Sequence, residues 1–284
     1  MEILLRYCLR FLLVSTLFSC SKNYNELSHD ERKKLSAEYY EKGEQQFPQG
    51  SPTSVHWIKE AIAVDSTNST AWWELSIPYL KRGMPHKWKP FIDKTVSLDP
   101  ARWQGWRGYE KLFFYRDYRG ALQDFSATDS LTPGFTDYPQ GMSVDYLRGL
   151  AFIGLHDFES SRRYLDKYIT EVTEERGEEW VDVDAFIHRG IVLDSLGDIE
   201  ASMADFQRCL KYYDYSSDAN YHIARLYLKQ DSLVNASQYI AKAKNLFSRG
   251  YFLHRPYVET FCQLYMSDID SLSDSIAKIN SDNR

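Results

Sequence analysis

Side chains capable of chemistry are present in this chain, but they are scattered and match no catalytic or metal-binding motif. Metal sites in proteins usually combine three or four ligands, and the two histidines that share a repeat interval, His188 and His222, are too few. A glycine-rich phosphate loop, a Gly-x-Ser-x-Gly motif and a His-Glu-x-x-His motif are all absent from the sequence. The sequence therefore predicts no catalytic residue, no metal site and no cofactor. The seven histidines are His29, His56, His86, His156, His188, His222 and His254.

The composition favours a globular protein that does not bind nucleic acid. Hydrophobic residues make up 43% and charged residues 26% of the 284-residue chain, which is ordinary for a globular protein. The chain has 40 acidic and 34 basic residues, a formal net charge of -6. Proteins that bind nucleic acid usually present a basic stripe, so we expect no nucleic-acid partner.

The first twenty residues differ from the rest of the chain. Arg6 and Arg10 precede a short apolar run, which ends in Leu17-Phe18-Ser19-Cys20. A basic start followed by a short apolar run is typical of a secretory signal, and the run is too short for the roughly 20 apolar residues of a membrane span. The last four residues resemble the bacterial lipobox, although Phe18 stands where a small or β-branched residue is usual. That resemblance implies cleavage before Cys20 and lipid attachment to the Cys20 side chain.

These features predict a signal peptide over residues 1–19 and a polar tether over residues 20–34. The lipid would anchor the protein to a membrane of the bacterial cell envelope. Ser21 stands where aspartate would favour the inner membrane, so we expect an outer-membrane lipoprotein that faces the periplasm. Ordinary secretory cleavage and an uncleaved anchor are the alternatives.

Residues 183–250 contain the same pattern twice, end to end. In the first copy Phe186, Gly190 and Leu193 share one face of a helix. Gly197 then favours a helix stop, and a second apolar face follows. Two helices joined by so short a break fold back antiparallel, and we expect close approach of their backbones at Gly190. Equivalent positions 34 residues later hold Asn220, Ala224 and Tyr227, and then Leu233, Ala236, Ile240 and Ala243.

The length and positions of this pattern resemble the tetratricopeptide repeat (TPR), a helix-turn-helix unit. Less regular copies precede it, of which residues 69–102 match the repeat signature best, with Trp72, Leu75 and Tyr79 on the first helix. The resemblance covers about residues 35–250. It implies an all-α fold, a right-handed α-solenoid of about six repeats. Residues 251–284 are expected to form a C-terminal capping helix and tail, since a solenoid needs a cap and Tyr257, Phe261 and Ile269 recur there.

The resemblance also implies a partner-binding groove on the concave side, lined by the first helix of each repeat. Chaperone-binding TPR proteins place lysine and asparagine there to hold a terminal carboxylate, and this sequence lacks that set. An aromatic and aliphatic groove suits an apolar peptide or helix, or a sugar ring. Packing between repeats is the alternative interpretation for Trp73 and Tyr221. The predicted partner-binding residues are Trp73, Ile77, Trp106, Tyr146, Tyr221 and Arg225.

The TPR resemblance implies a non-enzymatic scaffold that binds protein or peptide partners. A glycan- or small-ligand-binding lipoprotein is the alternative. Two insertions between hairpins, residues 132–142 and 173–180, are further candidate contact regions. The second lies in an acidic cluster that could receive a basic partner or form a solvated helix end: Glu174, Glu175, Glu178, Glu179, Asp182 and Asp184.

Overall fold

The computed structural model of the protein describes residues 24–282. Within that range there are thirteen α-helices, three short 3-10 helices and no β-strand. The first six α-helices are α1 (His29–Gln45), α2 (Pro52–Val64), α3 (Ser69–Lys81), α4 (Pro85–Leu98), α5 (Pro100–Tyr115) and α6 (Tyr118–Leu131). The remaining seven are α7 (Val144–Gly154), α8 (Phe158–Arg176), α9 (Val183–Ser195), α10 (Ile199–Tyr212), α11 (Ser217–Lys229), α12 (Leu233–Ser248) and α13 (Met266–Asp282).

The predicted all-α fold of about six helix-turn-helix repeats is confirmed. Five pairs of consecutive helices pack as hairpins, α3 and α4 follow one another through a short turn, and α13 packs on α12. The five hairpins are α1–α2, α5–α6, α7–α8, α9–α10 and α11–α12. Two element boundaries differ from the prediction. Helix α1 begins at His29, inside the predicted tether, because Ser28 and Glu31 form a capping box that starts the helix there. The closing helix begins only at Met266, and residues 251–265 form an irregular loop.

The chain divides between Leu75 and Ser76 into two compact units. In the first unit, the hairpin of α1 and α2 is joined by a buried hydrogen bond of 2.8 Å from the Ser36 hydroxyl to the Ala61 carbonyl. Gly43 of α1 lies against the Ile58 side chain of α2. This small-against-large contact brings the two helix backbones close together.

In the second unit, an aspartate caps the second helix of three successive hairpins. Asp117, Asp157 and Asp198 each accept a hydrogen bond from the backbone N–H three residues later. Such a cap satisfies one of the N–H groups that a helix start leaves without a partner. The tight turns therefore end one helix and begin the next within a few residues.

Glycines of the first helices receive large side chains of the second helices. A Cβ added at Gly108 or at Gly190 would lie 2.6 Å from a ring carbon of Phe125 or Phe206, respectively. The Ser202 hydroxyl donates a buried hydrogen bond of 2.7 Å to the Gly190 carbonyl. The close approach predicted for Gly190 is therefore present, and the Phe206 ring fills the space.

An arginine joins neighbouring hairpins at three places in the second unit, and it is buried at Arg148 and half-buried at Arg107 and Arg189. Arg189 of α9 bonds to Asp205 of its own hairpin at 2.6 Å and to Asp166 of the preceding hairpin at 3.0 Å. Arg107 likewise bonds to Asp124 of its own hairpin and to Asp93 of the preceding helix α4. Arg148 is the third member of this set, which we call the arginine staples.

Arg148 also bonds to one aspartate of its own hairpin and one of the preceding hairpin, but the first of these lies on its own helix. It bonds to Asp145 of its own helix and to Asp129 of the preceding hairpin. The three arginines are 41 residues apart, and each directly precedes a glycine that a large side chain packs against. The staples thus recur in register with the close contacts of the hairpins.

Candidate functional site

Residues 251–265, here called the groove loop, are the candidate functional site. They leave the end of α12, pass over the first helices of earlier hairpins and return to the start of α13. The segment fails to form the predicted helix because Pro256 has no N–H to donate, and Tyr257 and Cys262 take φ values of +70° and +53°. Compact loops of this length whose ends meet are often functional.

The two limbs of the groove loop are held together at its base. The Gln263 side chain donates a hydrogen bond of 2.8 Å to the Leu253 carbonyl, on the opposite limb. The Leu253 N–H donates at 2.9 Å to the buried carboxylate of Asp218, on α11. The Ser217 N–H donates at 2.9 Å to the Tyr251 carbonyl. The base is therefore bonded to the start of α11 largely through backbone groups of the loop.

One limb places Arg255 on aromatic side chains of α5. Its guanidinium centre lies 4.0 Å from the centroid of the Phe113 ring, within the range of a cation–π contact. The same guanidinium donates to the hydroxyl of Tyr109. Its other terminal nitrogen lies 3.5 Å from the sulfur of Met142. Arg255 thus reaches across three hairpins to bind an aromatic surface.

The other limb inserts Phe261 into an aromatic pocket. The Phe261 side chain is only 5% exposed, and its ring lies 5.7 Å from that of Phe113 and 6.1 Å from that of Tyr118. The Arg116 guanidinium stacks on the same ring at 4.7 Å and donates to the carbonyl of Glu259. Phe261 is therefore the main apolar anchor of the groove loop.

A buried hydrogen-bond chain connects α7 and α9 to the loop backbone. Tyr146 lies 2.8 Å from Nδ1 of His188, and Nε2 of His188 lies 3.4 Å from the Phe261 carbonyl. Burial lowers the pKa of His188 to about 4 and raises the pKa of Tyr146 well above its usual value. The imidazole is therefore neutral at pH 7. Its two ring nitrogens connect the Tyr146 hydroxyl to the loop carbonyl.

Two cavities flank the groove loop, and Asp184 lines both of them. The larger cavity has a volume of about 350 Å³ and is bordered by Phe113, Tyr146, His188 and Arg255. The smaller cavity has a volume of about 300 Å³ and is bordered by Tyr213 and Asp218. Burial, together with the neighbouring Asp182 and Asp218 carboxylates, raises the pKa of Asp184 to about 7. Burial also raises the pKa of Asp218 to about 6. This side of the first helices is thus both aromatic and acidic.

The predicted partner-binding residues lie on first helices, but they differ in accessibility. Ile77 and Tyr146 are buried, the latter at 2% exposure beneath the groove loop, with its ring stacked on Tyr168. Trp106 is half-buried between the rings of Trp103 and Tyr109. The buried residues serve packing in this structure, whereas Trp106 borders the aromatic surface that receives Arg255.

The other predicted residues lie apart from the tip of the groove loop. Trp73 belongs to the first unit and is half-buried. Tyr221 is half-buried and packs beside the cluster that includes Leu264. Arg225 lies 3.8 Å from Asp194 and 3.2 Å from Nδ1 of His222. The structure therefore groups Tyr221 and Arg225 near the return of the loop rather than at its anchors.

Sequence reasoning missed the residues that the groove loop itself uses. The helical spacing of Tyr257, Phe261 and Ile269 predicts a closing helix, and no sequence pattern singles out Arg255 or the partners Tyr109, Phe113 and Arg116. Two features of the sequence are consistent with a segment in the groove. The resemblance implies a groove lined by first helices, and the segment after the last repeat begins with closely spaced aromatic residues. Nothing in that run indicated its destination, because its partners lie more than 100 residues earlier.

The remaining expectations concern the N-terminus, the insertions and metals. Cys20, with residues 1–19, lies outside the described residues. The 173–180 insertion mainly lengthens α8 to Arg176, and Glu178 bonds to Tyr212 and Lys211. Within residues 24–282 no group of three potential ligands is placed to hold a metal ion. In the same range no helix is both long and apolar enough to cross a membrane.

Comparisons with known proteins support the repeat assignment. Residues 183–214 match the tetratricopeptide repeat family model. A search of curated proteins found no match to the chain. Among solved structures the fold is similar to that of PilF from Pseudomonas aeruginosa, with 14% identity and a TM-score of 0.59 over 76% of this chain and 94% of that one.

Two further structures show the same fold. PilW, described as a type IV pilus biogenesis factor, is 14% identical with a TM-score of 0.57 over 77% of this chain and 93% of that one. YrrB, described as a TPR protein with an unusual peptide-binding site, is 17% identical with a TM-score of 0.50 over 66% of this chain and 91% of that one. The helical hairpins and these folds agree with the repeat match, so the chain contains a tetratricopeptide repeat at residues 183–214 within an all-helical fold similar to that of tetratricopeptide repeat proteins.

Proposed function

We propose that this protein is a lipid-anchored scaffold of a bacterial cell envelope that binds a protein partner along the first helices of its second unit. The observation that carries the proposal is the groove loop. This face already holds an irregular peptide segment through an arginine on aromatic rings, a buried phenylalanine and hydrogen bonds to loop carbonyls. These are the contacts by which proteins recognise peptides, with aromatic and arginine anchors supplying most of the energy.

The relatives in fold support a binding role in general terms. The repeat family forms interaction scaffolds, and YrrB is described as having a peptide-binding site. The proposed envelope location, with an outer-membrane anchor that faces the periplasm, depends on the lipobox resemblance at Cys20. Fold similarity alone does not identify a partner.

Photo-crosslinking tests the binding face directly. Benzoylphenylalanine in place of Trp106, which borders the aromatic surface of α5, should form a defined crosslinked product in cells. The control position is Val234, which is 72% exposed on α12, a second helix. The same product from both positions, or none from Trp106, would contradict binding along the first helices.

The anchor has a separate test. Cys20→Ala should abolish labelling of the protein by radioactive palmitate and prevent its lipid-dependent release as the mature form. Continued labelling of the variant would contradict attachment at Cys20.

A glycan-binding role is the second candidate, and one surface favours it. The exposed rings of Tyr213 and Tyr215 lie 6.3 Å apart, and the Tyr215 ring lies 5.1 Å from that of Tyr251. Tyr213 also lines the smaller cavity, together with Asp218. Aromatic rings beside hydrogen-bonding carboxylates can hold a sugar ring. Calorimetric titration with soluble glycans should give heat only if this candidate is correct, and Tyr215→Ala should remove that heat.

A further inference from the structure

We propose that the groove loop is a tethered stand-in for the partner, which presents a segment with an arginine and, six residues later, an aromatic residue, and displaces the loop when it binds. This inference rests on the proposed function, since it assigns the partner chemistry and the regulation of the same face. It follows from how the loop is held, from what its departure would expose and from how it is built.

The contacts of the groove loop are those of a bound peptide rather than of a core segment. Its tip is held by two side chains, Arg255 and Phe261, and by donors of the first helices that bind its carbonyls. Between these anchors Pro256, Tyr257 and Glu259 are exposed, Tyr257 at 68%, whereas Val258 packs partly buried against the core. A short segment with two anchors and an exposed centre opens more readily than the helices beneath it.

Departure of the loop would expose a subsite suited to an arginine. The face of Phe113, the hydroxyl of Tyr109 and the carboxylates of Asp182 and Asp184 would lose the guanidinium that they face. Asp182 and Asp184 line the larger cavity together with Arg255. An incoming guanidinium can stack on the ring and face the carboxylates at once, which an ammonium does less well because it lacks a flat face.

A second subsite would open for an aromatic ring. Phe261 lies between Phe113, Tyr118 and the guanidinium of Arg116, and an aromatic side chain of the partner can take the same contacts. Arg116 and His188 would then bind carbonyls of the partner as they bind those of Glu259 and Phe261. The spacing of the two anchors along the loop defines the spacing expected in the partner.

The backbone of the loop also favours release. Tyr257 and Cys262 are non-glycine residues held at positive φ, a conformation that costs free energy unless contacts maintain it. Both flank the anchored stretch that contains Phe261. A partner segment without this constraint would replace the anchors and allow the loop backbone to relax.

The test uses a fluorescein-labelled peptide with the sequence of residues 251–265, with serine in place of Cys262, and the full chain. The opened variant is Arg255→Ala with Phe261→Ala, and the control variant is Tyr257→Ala, which alters an exposed side chain of the same loop. Fluorescence anisotropy should show at least about tenfold tighter binding to the opened variant than to wild type or control, since a closed loop lowers apparent affinity by the open fraction. A peptide with alanine at both anchors should bind none of the three.

Equal peptide affinity for wild type, control and a folded opened variant would overturn the proposal. If the opened variant does not fold, hydrogen exchange on wild type decides. Saturating unlabelled peptide should speed amide exchange in residues 251–265. Unchanged exchange of the loop at saturation would likewise overturn displacement.

Partner capture by the Trp106 crosslinker separates this inference from the proposed function. Tight peptide binding by the opened variant with no cellular crosslink would show that the loop can be displaced from its groove, but it would contradict the scaffold function. A cellular crosslink of equal yield in wild type and the opened variant would support the scaffold function and contradict displacement of the loop.

Discussion

At the scale of single residues, the packing of each hairpin depends on whether a side chain of the second helix packs closely against a glycine of the first. Gly190 is in close contact with the ring of Phe206, so its missing Cβ is what lets α9 and α10 approach. Gly105 of α5 is also helical, yet an added Cβ there would meet Pro139 and Thr128 only at ordinary distances of 3.5 Å and more. The two glycines are therefore opposite cases within one fold.

We expect Gly190→Ala to lower the free energy of unfolding by about 1–3 kcal/mol, because the methyl group overpacks a rigid seam. Gly105→Ala should instead raise it by up to about 1 kcal/mol, because alanine favours a helix and its Cβ has room. Chemical denaturation of both variants beside wild type measures the two changes. The same sign for both would show that the glycine contacts do not control hairpin packing.

At the scale of helices, the arginine staples join three hairpins to the helices that precede them. Asp205 is only 1% exposed, and Arg189 is its main buried partner. Breaking a buried ion pair leaves an unpaired charge in a low dielectric, which costs more than the pair itself contributes. The staples therefore make neighbouring repeats depend on one another.

Arg189→Ala should lower the free energy of unfolding by about 2–4 kcal/mol, somewhat less than a fully unpaired charge would cost, because Arg208 also bonds to Asp205 at 2.7 Å. Arg162→Ala is the matched control, since Arg162 pairs with Asp166 at 3.5 Å on the surface and such pairs contribute about 1 kcal/mol or less. Thermal and urea unfolding distinguish the two. Equal losses would mean that burial of the staple is unimportant.

At the scale of the whole molecule, buried ionisable groups give stability two opposing dependences on pH. Burial lowers the pKa of His222 to about 3, whereas burial raises the pKa of Asp184 to about 7. The unfolded histidine takes up protons below about pH 6.5, so the stability that neutral His222 contributes is lost as pH falls from there. Asp184 is protonated more readily in the folded state, so the stability linked to it is lost as pH rises from about 4 to about 7.

Two variants separate these effects. The melting temperature of Asp184→Asn minus that of wild type should increase as pH rises from 5 to 8. The corresponding difference for His222→Gln should increase as pH falls from 7 to 5. Differential scanning fluorimetry at fixed ionic strength measures both trends, and parallel trends in the two variants would contradict the burial of one of the groups.

The repeat architecture could be predicted from the sequence because it depends on local contacts. Helix faces, the Gly197 turn and the Gly190 contact all lie within one 34-residue unit, and such short-range patterns carry their own structure. The arginine staples could also have been found, since their spacing of 41 residues is visible beside the glycines. Their partners could not, because each staple selects an aspartate of another hairpin.

The course of residues 251–265 was decided only by the tertiary structure. Tyr257, Phe261 and Ile269 satisfy a helical spacing in the sequence, and that local pattern predicted a closing helix. In the fold, Phe113, Tyr109 and Arg116 offer an aromatic and cationic surface to Phe261 and Arg255, and burial there outweighs a marginal helix interrupted by Pro256. The sequence by itself determined the repeats, and the tertiary structure decided what occupies the groove, because contacts between distant residues carry no local signal.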